Sequence, residues 1–138
     1  MLSGLVVFLN GSINSAKSNG KYLQQAPMWT GAGGLIYKHN GIKLSIIDKM
    51  VGPQYSDLAN DPRYKVHAYK NMDLTIGYDF GRVEASLGFY NVLGSRSILA
   101  IKENDKTFQT DRLQSTDQYY FQPARSVMFT LKTSLSAE

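Results

Sequence analysis

Period-two alternation, interrupted by connections that are long and short in turn, constrains this 138-residue chain more than any other feature. In the final stretch, from Arg125 onward, Val127, Phe129, Leu131, Thr133 and Leu135 share one parity, and Ser126, Met128, Thr130, Lys132 and Ser134 share the other. That pattern is a β-strand with one apolar and one largely polar face. The same pattern is cleanest at Met72, Leu74, Ile76, Tyr78 and Phe80, set against Asn71, Asp73, Thr75, Gly77 and Asp79. It recurs at Val83 to Tyr90, at Ile42, Leu44 and Ile46, at Met28 to Lys38, and towards the end of Leu5 to Asn14. Asn40-Gly41 and Gly81-Arg82 mark tight turns, because such pairs supply the backbone that a two-residue hairpin requires. Ser15 to Pro27, Val51 to Tyr69 and Asn91 to about Gln122 are polar, rich in Gly, Pro, Asn and Asp, and are expected to be loops.

Short turns on one side and long loops on the other are the asymmetry of an up-and-down antiparallel sheet in a membrane. A soluble Greek-key sandwich mixes its connection lengths, and no connection here has the helical period that a parallel α/β fold needs. Hydropathy is no obstacle: no run approaches a spanning helix, but a spanning strand needs only about 9–11 residues. Trp29 and Tyr37 share a face eight residues apart, roughly 26 Å at about 3.3 Å per residue, which is close to the height of an outer-membrane apolar band. Asp73, Asp79, Glu84 and Lys132 fall on the opposite parity and are expected to face a wet lumen.

Catalysis and metal chemistry find little support. The chain has no Cys, which removes disulfides, thiolate zinc sites and Cys nucleophiles together. His39 sits in a turn and His67 in a loop, with no second ligand at a metal-binding spacing. Ser56 and His67 are the only Ser–His pairing within one loop, and ordinary loop polarity accounts for them. Gly31-Ala32-Gly33-Gly34 precedes no helix pattern and reads as strand glycines that admit bulky neighbours. The net charge of +4 is scattered, not clustered, so no nucleic-acid partner is expected. In the third loop, Arg96, Lys102, Lys106 and Arg112 are nearly balanced by Glu103, Asp105, Asp111 and Asp117. No catalytic residue, cofactor or metal site is assigned.

Several motifs, in order, resemble those of TonB-dependent outer-membrane receptors. Gln25-Ala26-Pro27-Met28-Trp29-Thr30 running to Gly34-Leu35-Ile36-Tyr37 is similar to a recurring strand start, and Val51-Gly52-Pro53-Gln54-Tyr55 to the next strand end. Met72-Asp73-Leu74 with Tyr78-Asp79-Phe80 resembles the one after. Leu87-Gly88-Phe89-Tyr90-Asn91-Val92-Leu93 resembles a strand exit, and Tyr120-Phe121-Gln122-Pro123-Ala124-Arg125-Ser126 the run into the last strand. Members commonly finish on an aromatic residue read by the barrel-assembly machinery; Leu135 stands in that place here.

The resemblance implies that residues 1–138 are the C-terminal β-barrel segment of such a receptor, an all-β antiparallel meander of about six strands from a barrel of about 22. Six strands cannot close a membrane barrel. The chain is therefore expected to be a truncated or split product without its plug, with no signal peptide, and not competent alone. The whole receptor would take up a scarce substrate, such as a ferric siderophore, across the bacterial outer membrane. Its partners would be the remaining barrel and plug, outer-membrane lipid, the assembly machinery, and TonB through the N-terminal part. Lipid-facing residues would be Trp29, Leu35, Tyr37, Leu74, Ile76, Tyr78, Leu87, Phe89, Val127, Phe129 and Leu131. The alternatives are a soluble antiparallel binding module and a small oligomeric outer-membrane barrel.

Overall fold

The computed structural model describes residues 4–102 and 117–134. Its strands are β1 (Leu5–Ile13), β2 (Lys17–Ser18), β3 (Lys21–Tyr22), β4 (Trp29–His39), β5 (Ile42–Val51), β6 (Gln54–Tyr55), β7 (Lys65–Val66), β8 (Tyr69–Asp79), β9 (Val83–Tyr90), β10 (Ile98–Lys102), β11 (Gln118–Phe121) and β12 (Ser126–Thr133); one 3-10 turn spans Pro62–Tyr64. The long strands form one six-stranded sheet in the order β1-β4-β5-β8-β9-β12, every neighbour antiparallel. The short strands form separate hairpins, β2–β3, β6–β7 and β10–β11. The sheet is open, with β1 and β12 as its edges.

Both tight turns lie at one end. Asn40 and Gly41 have φ of 48° and 81°, and His39 pairs with Ile42 around them, the geometry of a two-residue hairpin that needs positive φ at both central positions. At Gly41 a side chain would also meet the Asp79 carbonyl at 2.8 Å. In the second turn the Asp79 carboxylate accepts the Gly81 N–H at 2.8 Å, and Gly81 has φ 93°. The long connections all emerge at the other end, as the alternation of loop lengths predicts.

Three expectations need correction there. Asn91 to Gln122 is not simply a loop: Ile98–Lys102 and Gln118–Phe121 pair as β10 and β11. Each supplies only a short apolar or aromatic run, too brief to show a period. The loops Ser15 to Pro27 and Val51 to Tyr69 likewise carry the β2–β3 and β6–β7 hairpins. Strand β5 extends to Val51, past the alternation legible at Ile42 to Ile46. Leu135, Lys106 and Arg112, with Glu103, Asp105 and Asp111, lie outside the described residues.

The buried residues sit among the loops, not on the sheet. Among the described residues, Val66 is 1% exposed, and Tyr64, Ile101, Gln54, Ser56, Asn91, Asp117 and Gln122 are also buried. Only Gly88 of the six-stranded sheet reaches that class. A sheet whose apolar side chains stand exposed, capped by a small interlocked loop region, is the reverse of a soluble β-domain.

Candidate functional site

Register decides which side chains share a face, since directly paired residues of adjacent strands point the same way. One row across the sheet is Val7, Leu35, Ile46, Leu74, Phe89 and Val127; the next is Leu5, Tyr37, Leu44, Ile76, Leu87 and Phe129. A third joins His39, Ile42, Tyr78, Ala85 and Leu131. Trp29 lies at the loop end of the same face, its indole over Gly52, where a β-carbon would come within 2.7 Å of the ring. The eleven residues expected to face lipid thus lie on one face of one sheet. Much of it is exposed: Phe129 is 64%, Val127 and Leu131 each 63%, and Ile76 47% accessible. Val7, Leu9 and Ile13 of β1 extend it beyond what the sequence singled out.

One residue breaks the pattern. Asp48 pairs with Gly33 and Met72, so it stands on the apolar face, and its Oδ1 is buried with no hydrogen bond among the described residues. Gly33 lies midway along β4 between Trp29 and Tyr37. The strand period, extended two residues past Ile46, would have found Asp48.

The opposite face carries Asp73, Asp79, Glu84 and Lys132 together, with Lys43 as an added cation. Lys43 Nζ is 2.5 Å from Glu84 and 3.3 Å from Asp79, and Lys132 pairs across the ladder with Glu84. Asp73 accepts from Asn71 Nδ2 at 2.9 Å and from the Asn91 N–H at 3.0 Å. Ser12 and Thr30 hydroxyls meet at 2.8 Å. Gly34 lets the Phe8 ring lie across it, since a β-carbon would approach that ring to 2.7 Å.

At the loop end, the residues of the recurring motifs are the stitches between connections. The Met28 N–H donates to Pro53 O at 3.0 Å, Gln25 N–H to Tyr55 O at 2.8 Å, and Gly52 N–H to Trp29 O at 2.8 Å. Gln54 Nε2 donates to Leu99 O at 2.9 Å, and Ser56 Oγ accepts the Ile101 N–H at 2.9 Å, tying the second connection to the third. Asn91, at φ 50°, donates through Nδ2 to Ser95 O and Pro123 O, each at 2.8 Å, and its Oδ1 accepts the Ser95 N–H at 3.0 Å. Gln122 Nε2 reaches Asn71 Oδ1 at 3.0 Å. In the second connection, Arg63 bonds to the Asp61 carboxylate through its side chain and its backbone N–H, and holds that carboxyl below its ordinary range.

These stitches enclose a hollow of about 840 Å³ lined by Gln24, Asp57, Tyr64, Ile101, Lys102 and Tyr120. Arg96 lies elsewhere, beside Arg125 in a smaller hollow. Ser56 Oγ accepts the Ile101 N–H, and among the described residues no hydrogen bond joins it to His67. No cluster of three metal-ligating side chains occurs among the described residues. His39 has the Tyr37 ring as its neighbour, centroids 6.2 Å apart.

No family model matches the chain, and no curated protein matches it in sequence. Solved structures do share the fold. The ferric yersiniabactin uptake receptor FyuA from Yersinia pestis superposes at TM-score 0.72 with 16% identity, covering 94% of this chain and 21% of that one. The siderophore receptor PiuA from Acinetobacter baumannii gives 0.67 and 15%, covering 94% and 19%. The ferric-catecholate import receptor Fiu from E. coli K12 gives 0.57 and 16%, covering 76% and 15%. The chain therefore spans between 15% and 21% of the length of these receptors. The fold held in common is a stretch of β-barrel wall.

Proposed function

We propose that this chain is a section of the wall of a TonB-dependent outer-membrane receptor barrel, of the kind that takes up ferric siderophores. The observation that carries the reading is the six-strand apolar face, left exposed in a sheet whose tight turns and interlocked long loops lie at opposite ends. In water such a face is an aggregation surface; against acyl chains it is at rest. Trp29, Leu35, Tyr37, Leu74, Ile76, Tyr78, Leu87, Phe89, Val127, Phe129 and Leu131 contact lipid, with Trp29 and Tyr37 towards its two borders.

The lumen side is polar: Asp73, Asp79, Glu84, Lys43 and Lys132 line a wet interior. The free backbone groups of β1 and β12 would cost several kcal/mol each if left open in hydrocarbon, so both edges pair with further barrel strands. In the complete receptor a plug would close the lumen and a TonB complex would act on it, with assembly by the barrel machinery. The 840 Å³ hollow is the place where these loops would meet a substrate at the outer surface. The wall performs no catalysis; its work is to hold loops and lumen in register.

Because the chain has no native Cys, single substitutions read the two faces cleanly. In membranes, Cys at Ile76 or Phe129 is expected to resist a water-soluble maleimide and to quench with a lipid-borne spin label. Cys at Thr75 or Thr130 should do the opposite. Equal aqueous labelling of both sets would overturn the proposal. A soluble module, with its apolar face in a core, would instead stay in the aqueous fraction without detergent.

A further inference from the structure

We infer that the rim of the apolar face at β12 holds the phosphate of a membrane lipid headgroup between Arg96 and Arg125. The two arginines line one hollow of about 360 Å³ with Asn91, Gly94 and Ala124. Among the described residues no carboxylate is in that lining and neither guanidinium forms an ion pair. Arg125 is placed deliberately: its Nη2 donates to Leu93 O at 3.3 Å, and its guanidinium fills the space over Gly94, where a β-carbon would come within 2.6 Å of it. Gly94 has φ 67°, a left-handed backbone conformation that favours glycine.

Asn91 is not available to a ligand, because its amide is spent on Ser95 and Pro123. The donors left facing the hollow are guanidinium groups, whose planar forks suit the oxygens of a phosphate. The surroundings specify the remainder of the ligand. Ser126 pairs with Tyr90 and Val127 with Phe89, so Arg125 immediately precedes the strand whose column Val127, Phe129, Leu131 lies on the apolar face. Val127 and Phe129 are 63% and 64% exposed, and Val92 and Leu93 expose further apolar surface. A ligand with its anion at the arginines and a hydrocarbon chain down that column satisfies both; a soluble phosphate satisfies only the first.

This inference rests on the reading of the apolar face as membrane surface, and flotation of the full chain on vesicles tests the two separately. The chain is transferred from detergent to vesicles of a neutral galactolipid, with or without phosphatidic acid. Phosphatidic acid is expected to raise partition roughly tenfold, and the gain should shrink with added salt. Arg96→Gln, which removes no hydrogen bond or ion pair among the described residues, should lose most of the gain, and Arg96→Gln with Arg125→Gln all of it. Lys102→Gln, a loop cation in the other hollow, should keep it.

A full gain in the double variant, or an equal loss in Lys102→Gln, would overturn the site. Displacement of the gain by glycerol phosphate at the concentration of the lipid would overturn the lipid in favour of a soluble phosphate. Failure of the wild-type chain to associate with either vesicle would overturn the wall reading together with this one. Association that ignores phosphatidic acid would overturn this one alone.

Discussion

The sheet and the loop end of this molecule solve the problem of burial in opposite ways. Among the described residues the sheet buries almost nothing and presents Val7, Leu9, Ile76, Phe129 and Leu131 outward, so its stability depends on the medium. The loop end buries Val66, Tyr64 and Ile101 around Gln54, Ser56, Asn91 and Gln122, and its polar groups bond to one another across connections far apart in sequence. On the proposed reading the sheet does not need a core of its own, because lipid supplies the apolar phase. Loops standing in water do need one, and with so little apolar area they rely on hydrogen bonds whose loss leaves buried groups unpaired.

The sharpest way to break the comparison is to put one charge on each face of β8. Leu74→Arg should cost about 2–4 kcal/mol of folding stability in lipid, whereas Thr75→Arg on the polar face should cost little; urea titration in vesicles measures both. Next, Val66→Ala, at the most buried side chain of the loop end, should cost about 2 kcal/mol. It should open the loops to protease while the strands stay protected. Ser56→Ala strips the Ile101 N–H of its acceptor and should cost about 1–2 kcal/mol, read as faster exchange of that amide.

Asp48 sharpens the contrast from the other side. Asp48→Leu removes a carboxyl from the apolar face and should stabilise the sheet in lipid by on the order of 1 kcal/mol. The smallest effect concerns Asp61, whose pKa is lowered first by the Arg63 side chain and then by the Arg63 backbone N–H. The unfolded carboxyl titrates near 3.8, so this contribution is whole above that value. It fades as pH falls through the lower folded value. The protection of the Arg63 amide, measured against its intrinsic exchange rate at the same pH, should therefore fall only in acid, and should not vary with pH in Asp61→Asn.

The six long strands, both tight turns and the separation of Leu74, Ile76 and Phe129 from Asp73, Asp79 and Glu84 were legible in the sequence. A strand writes its two faces into alternate residues, and a hairpin turn of Asn-Gly type writes its φ angles into composition. The recurring motifs were legible as patterns but not as physics. Gln25, Gln54, Asn91 and Gln122 look like ordinary polar loop residues until their partners at Tyr55, Leu99, Pro123 and Asn71 are brought beside them. The β10–β11 hairpin and the meeting of Arg96 with Arg125 were illegible for the same reason. Local periodicity is a property of neighbouring residues and is carried by the sequence itself. Pairings across 16 to 51 positions depend on where the sheet delivers each connection, and only the tertiary structure decides them.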